Sequence, residues 1–131
     1  MGLFGGIFGG AKNDKGKEDN SIPWRPLTSA EQFEEIKKDS ITRAQVIFKH
    51  STSCGISRMV LNMFKSSYSL ENGQMDFYFL DLLANRGVSN AVASEFGVMH
   101  QSPQLLIIKN GVVVMHDSHG AISDIELEQY V

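Results

Sequence analysis

Residues 45–57 read Q-V-I-F-K-H-S-T-S-C-G-I-S. The short apolar run at residues 46–49 is of β type and predicts a strand that ends at Lys49-His50. A polar loop follows at residues 51–53, and Cys54, the only cysteine of the chain, stands where a helical pattern begins. This stretch therefore predicts a strand–loop–helix unit that carries a thiol at its junction.

The predicted position of Cys54 favours a reactive thiol. The N–H groups of a first helical turn lack partners within the helix, and the helix dipole places partial positive charge there. Both effects favour the thiolate, which is the nucleophilic form of cysteine. Ser57 follows three residues later, so its hydroxyl is expected on the same side as the sulfur, where it can donate a hydrogen bond. The competing interpretation is a buried structural cysteine, and this stretch alone leaves the two about even.

A helix is predicted before this unit. Ser29 precedes Gln32 by the spacing of a capping box, so Thr28 or Ser29 can cap a helix that continues to about Asp39. Trp24 lies ahead of that helix and is expected to anchor the entry segment to the core.

Three more elements follow in the middle of the chain. The helix that begins at Cys54 is expected to end near residue 66, with one apolar face. The nearly continuous apolar run at residues 76–83 predicts a second strand that is buried on both faces. Residues 85–98 predict a third helix, with Ser89 or Asn90 as its cap.

The last third of the sequence predicts a hairpin and a short helix. Asn110-Gly111 is a strong hairpin signal, and it joins predicted strands at residues 105–109 and 112–116. A final helix is expected at residues 123–130.

The predicted order α-β-α-β-α-β-β-α is typical of the thioredoxin-like α/β fold, a mixed four-stranded sheet flanked by helices on both faces. In that fold Cys54, at the first strand–helix junction, faces Pro103, which precedes the third strand. Because α/β folds place their sites at the carboxyl ends of strands, these two positions predict one site.

Composition excludes several classes of protein. The 131 residues are expected to form a glycine-rich and charged flexible tail at 1–21 and one folded domain at 22–131. A net charge of −3, with no basic stripe, predicts no nucleic-acid partner. One cysteine cannot form an internal disulfide, so a reducing, cytoplasmic location is expected. The apolar N-terminal stretch is too short to span a membrane, and the histidines show no metal-ligand spacing.

Residues 24–131 resemble the monothiol bacilliredoxins, thioredoxin-like redox proteins of the bacillithiol system. The matching stretches are W-R-P-L-T-S at 24–29, F-K-H-S-T-S-C-G-I-S at 48–57, H-Q-S-P-Q at 100–104, K-N-G at 109–111 and S-H-G-A-I-S at 118–123. Gly55 departs from the pattern, since proline, serine or another small residue is expected there.

The resemblance implies removal of bacillithiol from protein mixed disulfides, with bacillithiol as co-substrate and no resident cofactor. Cys54 would attack the bacillithiol sulfur. Ser57 leaves no resolving cysteine, so a low-molecular-weight thiol or another redoxin must regenerate the protein. The implied partners are therefore bacillithiolated client proteins and a small thiol.

The same resemblance implies roles in substrate binding. Thr52, Ser53 and Gly55 would border the small thiol, and a cis Pro103 would expose the backbone of Ser102 to the substrate. Arg58 either steadies the malate carboxylates of bacillithiol or is a solvated charge on the helix surface. His119, in the late Ser-His element, is a proton shuttle or a turn residue.

Two other functions remain open at this stage. C-G-I-S differs by one residue from the C-G-F-S motif of monothiol glutaredoxins, which would imply an iron–sulfur cluster carrier that uses glutathione. Against it, Ser-Pro-Gln stands where those proteins have T-V-P, and their Gly-Gly-Asp element is absent. The third possibility is a non-catalytic thioredoxin-like adaptor whose cysteine only packs.

Overall fold

A computed structural model describes residues 22–71 and 73–131, so the predicted tail at 1–21 lies outside the described residues. The strands are β1 (Trp24–Pro26), β2 (Ala44–His50), β3 (Met75–Asp81), β4 (Gln104–Lys109) and β5 (Val112–Ser118). The helices are α1 (Gln32–Asp39), α2 (Gly55–Ser67) and α3 (Arg86–Phe96), and two 3-10 helical segments follow at His119–Asp124 and Leu127–Tyr130. No helix within the described ranges is long and apolar enough to cross a membrane.

The strands form one mixed sheet in the order β1-β3-β2-β4-β5. β1 and β2 both run parallel to β3, whereas β4 is antiparallel to β2 and to β5. The thioredoxin-like fold is confirmed, but the sheet has five strands where four were predicted. The additional strand, Trp24–Pro26, is three residues long and includes a proline, so it is too short to show an alternating pattern.

The sheet separates two apolar cores, because successive side chains of each strand point to opposite faces. On one face, Val60 and Phe64 of α2 pack against Phe48. On the other face, Ile36 of α1 and Val92 of α3 pack against strand residues that include Ile47. The central strand β2 therefore has helices on both sides, as the predicted thioredoxin-like fold implies.

Two of the predicted elements differ from the structure, one at the end of a strand and one at the start of a helix. The second strand ends at Asp81, because its carboxylate oxygen accepts bonds from the N–H groups of Leu83 and Ala84, 3.1 and 3.4 Å away, and turns the chain. Asn85 is the N-cap of α3, so the predicted caps Ser89 and Asn90 were wrong and lie inside that helix.

The final helix predicted at residues 123–130 was also wrong. The chain forms the two 3-10 segments there, and they are separated at Ile125, which has an extended backbone. The hairpin is confirmed, since Asn110 and Gly111 both have positive φ, at 54° and 82°.

Trp24 joins β1 to the core on the α2 face, as predicted. Its ring meets those of Phe79, Phe48 and Phe77 edge-on, with centroids 5.3, 5.9 and 6.0 Å away. Edge-on aromatic pairs add stabilisation beyond the area that they bury.

We expect Trp24→Ala to lower the free energy of unfolding by about 3 kcal/mol, because it removes a half-buried aromatic ring from this cluster. Urea unfolding monitored by far-UV circular dichroism would measure the change, since the variant lacks the only tryptophan. Ile41→Ala is the matched control: Ile41 is 67% exposed, and its truncation should change stability by no more than about 0.5 kcal/mol. Equal effects of the two substitutions would contradict the role of Trp24.

A buried lysine lies on the other face, near the end of β2. Lys49 is 0% exposed, and its Nζ is 3.3 Å from the carbonyl oxygen of Ser89 and 3.2 Å from Nδ1 of His100. Neither partner carries a negative charge, and burial lowers the pKa of Lys49 to about 8. Burial, and then the nearby Lys49, also lower the pKa of His100, which favours the neutral imidazole as acceptor.

We expect Lys49→Met to be more stable than the wild type at pH 7, by up to about 3 kcal/mol, because it removes a buried charge. Between about pH 8 and 10.5 the folded wild type has lost this proton while the unfolded chain keeps it. Wild-type stability therefore rises with pH over that range, and the advantage of the variant should disappear by its upper end.

Urea unfolding at several pH values would measure both effects. The exposed Lys38→Met is the matched control and should follow the wild type within about 0.5 kcal/mol at each pH. A Lys49→Met variant that is less stable than the wild type at pH 7 would contradict the expected cost of burying this lysine.

Candidate redox site

Cys54 lies where β2, after a short loop, gives way to α2. It is the N-cap of α2, with extended backbone angles of φ −106° and ψ 122°, and its carbonyl oxygen accepts a bond from the amide of Arg58 at 3.1 Å. Cys54 is partly exposed, and its sulfur makes no capping hydrogen bond to the first turn. The predicted placement of the thiol at the start of a helix is confirmed, and a fully buried structural cysteine is excluded.

Three hydrogen bonds hold the loop at residues 51–53 against α2. The amide of Ser51 donates to Oγ of Ser57 at 3.1 Å, and the amide of Cys54 donates to the carbonyl of Ser51 at 3.2 Å. The guanidinium of Arg58 donates to the carbonyl of Thr52 at 3.2 Å. Both ends of the loop are therefore tied to the first turn of the helix that Cys54 begins.

Ser57 does not have the partner that its spacing predicted. It is 0% exposed, and Oγ lies 2.8 Å from Nδ1 of His50 in addition to accepting the Ser51 amide. Its hydroxyl therefore points toward the end of β2, and the predicted hydrogen bond from Ser57 to the Cys54 sulfur was wrong. Any influence of Ser57 on the sulfur passes through the loop backbone.

His50 belongs to the site, although the sequence interpretation assigned it no role. It is the last residue of β2, it is 4% exposed, and its ring centroid lies 5.4 Å from that of Phe79. Burial lowers the pKa of His50, Asp81 opposes that shift and Arg58 reinforces it. The sequence did contain a signal for the position of His50. Side chains alternate along a strand, so residue 50 is expected on the same face as Val46 and Phe48, which face α2.

The Pro103 turn lies at the same edge of the sheet as the Cys54 loop. The Ser102–Pro103 peptide bond is cis, which confirms that expectation. Gln104, the next residue, pairs with Lys49 near the end of β2, so the antiparallel register brings the turn beside the loop. The carbonyl of Pro103 accepts a bond from the amide of His119 at 2.9 Å.

His119 has a positive φ of 57° where β5 gives way to the first 3-10 segment. The sequence left open whether His119 is a proton shuttle or a turn residue, and the structure places it in a turn. Ser102, on the other side of Pro103, has a buried Oγ that finds no hydrogen-bond partner among the described residues.

The remaining predicted binding residues surround Cys54 and are exposed: Thr52, Ser53, Gly55 and Arg58. Gly55 has no backbone requirement for glycine. A Cβ built there would lie 3.8 Å from a guanidinium nitrogen of Arg58, an ordinary contact. The extended backbone of Cys54 also suits a residue that precedes proline. The departure at Gly55 therefore leaves the shape of the site intact.

A groove of about 790 Å³ runs along α2 from this point. It is lined by Gly55, Arg58, Met59, Asn62, Met63, Ser66, Ser67 and Ser123. Methionine side chains supply apolar surface, and Arg58 supplies a cation at the end next to Cys54. We call this feature the α2 groove.

The arrangement is suited to thiol–disulfide exchange by one sulfur. A partly exposed thiol at a helix N-terminus can attack a disulfide, and the chain contains no second cysteine to resolve the product. Within residues 22–71 and 73–131, no group of three or more histidine, cysteine, aspartate or glutamate side chains could hold a metal ion.

Solved structures of similar fold are thioredoxin-like. A thioredoxin-fold protein assigned provisionally as an oxidoreductase is 31% identical, with a TM-score of 0.68, over 81% of this chain and 91% of its own. Thioredoxin from Malassezia sympodialis is 20% identical, with a TM-score of 0.61, over 79% and 84% of the two chains. Thioredoxin from Schistosoma mansoni is 17% identical, with a TM-score of 0.63, over 86% and 97%. The last two show likeness of fold alone.

The family comparison is more specific. The family model for monothiol bacilliredoxin BrxC matches residues 25–127, a range that contains the Cys54 loop, α2 and the Pro103 turn. It covers most of the chain, and the single cysteine agrees with a monothiol family. The protein is therefore a monothiol redox protein and belongs to the monothiol bacilliredoxin BrxC family.

Proposed function

We propose that the protein removes bacillithiol from protein mixed disulfides, with Cys54 as the only nucleophile. The observation that carries the proposal is a partly exposed sulfur at the N-terminus of α2 in a chain without a second thiol. Family membership supports bacillithiol as the thiol that is transferred. The use of one free thiol also favours a reducing, cytoplasmic location.

The proposed reaction is a disulfide exchange with no net oxidation. The Cys54 thiolate attacks the bacillithiol sulfur, the bond between bacillithiol and the client breaks, and the client leaves as a thiolate that takes a proton from water. Cys54 then carries bacillithiol in a new disulfide. A second low-molecular-weight thiol attacks this disulfide and releases Cys54.

The surroundings of Cys54 support binding of both parts of the substrate. The cis Ser102–Pro103 turn lies at the same edge of the sheet, where backbone groups of Ser102 can pair with an extended client segment. Arg58 lines the α2 groove next to Cys54, where its guanidinium can receive the malate carboxylates. Thr52 and Ser53 are exposed in the loop before Cys54, where their hydroxyls can border the small thiol.

Mass spectrometry of the intact protein, after incubation with a bacillithiolated client, would test the proposal. We expect one bacillithiol per chain, attached at Cys54, and release of the client as free thiol. Cys54→Ala should gain no mass and release no client. A wild-type protein that gains no mass would contradict the proposal, and so would a brown, cluster-bearing protein after anaerobic reconstitution with glutathione.

Arg58 should contribute to recognition of bacillithiol. We expect Arg58→Gln to raise the KM for a bacillithiolated client by about threefold to tenfold, because it removes a cation that can pair with the malate carboxylates. Steady-state kinetics at low ionic strength would measure the change.

Lys65→Gln is the matched control, since Lys65 is an exposed cation on the same helix and is not among the residues that line the α2 groove. We expect this substitution to leave KM within about twofold of the wild type. Equal effects of the two substitutions would show a general effect of charge and would contradict recognition by Arg58.

A further inference from the structure

His50 is buried behind the nucleophile and has no part in the exchange reaction as proposed. A chain of three hydrogen bonds connects it to Cys54. Nδ1 of His50 lies 2.8 Å from Oγ of Ser57, Oγ accepts the amide of Ser51 at 3.1 Å, and the carbonyl of Ser51 accepts the amide of Cys54 at 3.2 Å. The backbone of His50 is also held in place, because its carbonyl accepts the amide of Leu82 at 2.9 Å.

The direction of the first of these bonds depends on the charge and the tautomer of the imidazole. Oγ of Ser57 already accepts a hydrogen bond from the Ser51 amide, and its own hydroxyl can donate to Nδ1 of an uncharged His50 that carries its proton on Nε2. A protonated His50 would donate from Nδ1 instead, and the hydroxyl proton of Ser57 would lose this acceptor. A buried hydroxyl that lacks a partner destabilises the arrangement that it belongs to.

The surroundings of His50 favour the uncharged form. Burial is the largest effect and lowers the pKa of His50. Three charged groups face it from the elements packed around it: Asp81, opposite it in β3, raises the pKa, whereas Arg58 and Lys65 on α2 lower it. The pKa of His50 therefore lies below the ordinary value for histidine, so the uncharged ring is expected at neutral pH.

We propose that His50 is a positioning residue for the Cys54 nucleophile, and that it acts through Ser57 and Ser51 as an uncharged hydrogen-bond acceptor. It holds Ser57 so that the loop presents Cys54 in one orientation. The inference rests on Cys54 being the nucleophile of the proposed function, but it does not depend on which thiol Cys54 transfers.

The rate of reaction of Cys54 with dithiodipyridine tests this role without bacillithiol. In that reaction the thiolate attacks the reagent disulfide and releases a coloured thiopyridone, so failure of the inference and failure of bacillithiol transfer can be told apart. His50→Phe keeps an aromatic ring and removes the acceptor. We expect it to lower the second-order rate constant by about threefold to tenfold, the size expected for one hydrogen bond.

A double-mutant cycle tests whether His50 acts through Ser57. Ser57→Ala should lower the rate by a similar factor, and the double variant should be no slower than the slower single variant, because both remove the same link. Multiplied effects in the double variant would overturn the proposal, as would a His50→Phe rate within about twofold of the wild type.

The pH profile tests the uncharged form and separates positioning from simple structural support. His50→Asn places an amide oxygen near the position of Nδ1, so its rate should stay within about twofold of the wild type at pH 8. As the pH falls below the ordinary pKa of histidine, the wild type should lose rate relative to His50→Asn, which has no imidazole to protonate.

A wild-type to His50→Asn ratio that does not change with pH would overturn the proposal. A purely structural role would lower thermal stability without a pH-dependent ratio. If circular dichroism shows that His50→Phe does not fold, the comparison with His50→Asn still decides the outcome.

Discussion

The hydrogen bond from the amide of Ser51 to the hydroxyl of Ser57 determines how the site is arranged. It joins the end of a central strand to the first turn of the helix that follows, across the loop that delivers Cys54. Without it the loop would keep the Arg58–Thr52 contact, which lies at an exposed surface and competes with water. The Ser51–Ser57 bond is partly buried and its acceptor belongs to a fully buried side chain, so it competes less with water and favours one loop conformation.

Polar side chains at the end of β2 are buried next to this bond, because β2 is covered on both faces. Two successive residues at its carboxyl end, Lys49 and His50, carry polar groups into opposite cores, since side chains alternate along a strand. His50 meets Ser57 on the α2 face, and Lys49 meets Ser89 and His100 on the α3 face. Buried polar groups so close to Cys54 lower the stability that an apolar core would provide, but they hold Ser57 and His100 in defined positions.

Most of the fold was predictable because it depends on patterns within short stretches of the sequence. The continuous apolar runs of β2 and β3, the hairpin residues Asn110-Gly111 and the order of elements indicated the thioredoxin-like sheet. The short strand Trp24–Pro26 was missed because only its pairing with β3 identifies it as a strand. The pair Trp24↔Phe77 joins residues that are far apart in the sequence, so no local pattern reveals it. The final helix was predicted from Ser123 as a possible cap, whereas the chain forms two 3-10 segments there.

The site was predictable in position but not in its hydrogen bonds. Cys54 at the helix start and the cis turn at Pro103 followed from the order of elements and the resemblance. The partner of Ser57 did not, because spacing along a helix tells which side chains are near one another and not which way a hydroxyl turns. His50 competes with the sulfur for that hydroxyl, and only the packing of α2 over the end of β2 shows that the imidazole is the partner.

The hydrogen bonds of Ser57 are also relevant to the absence of a resolving cysteine at this position. Position 57 is where a C-x-x-C motif would carry its resolving cysteine, and here a fully buried serine occupies it, with one hydrogen bond to the loop and one to His50. A thiol is a weaker donor and acceptor than a hydroxyl, so a cysteine at this position would hold both partners less well. The serine is therefore part of the framework that holds Cys54 in place. In the proposed reaction, resolution of the mixed disulfide must then come from a thiol outside the chain.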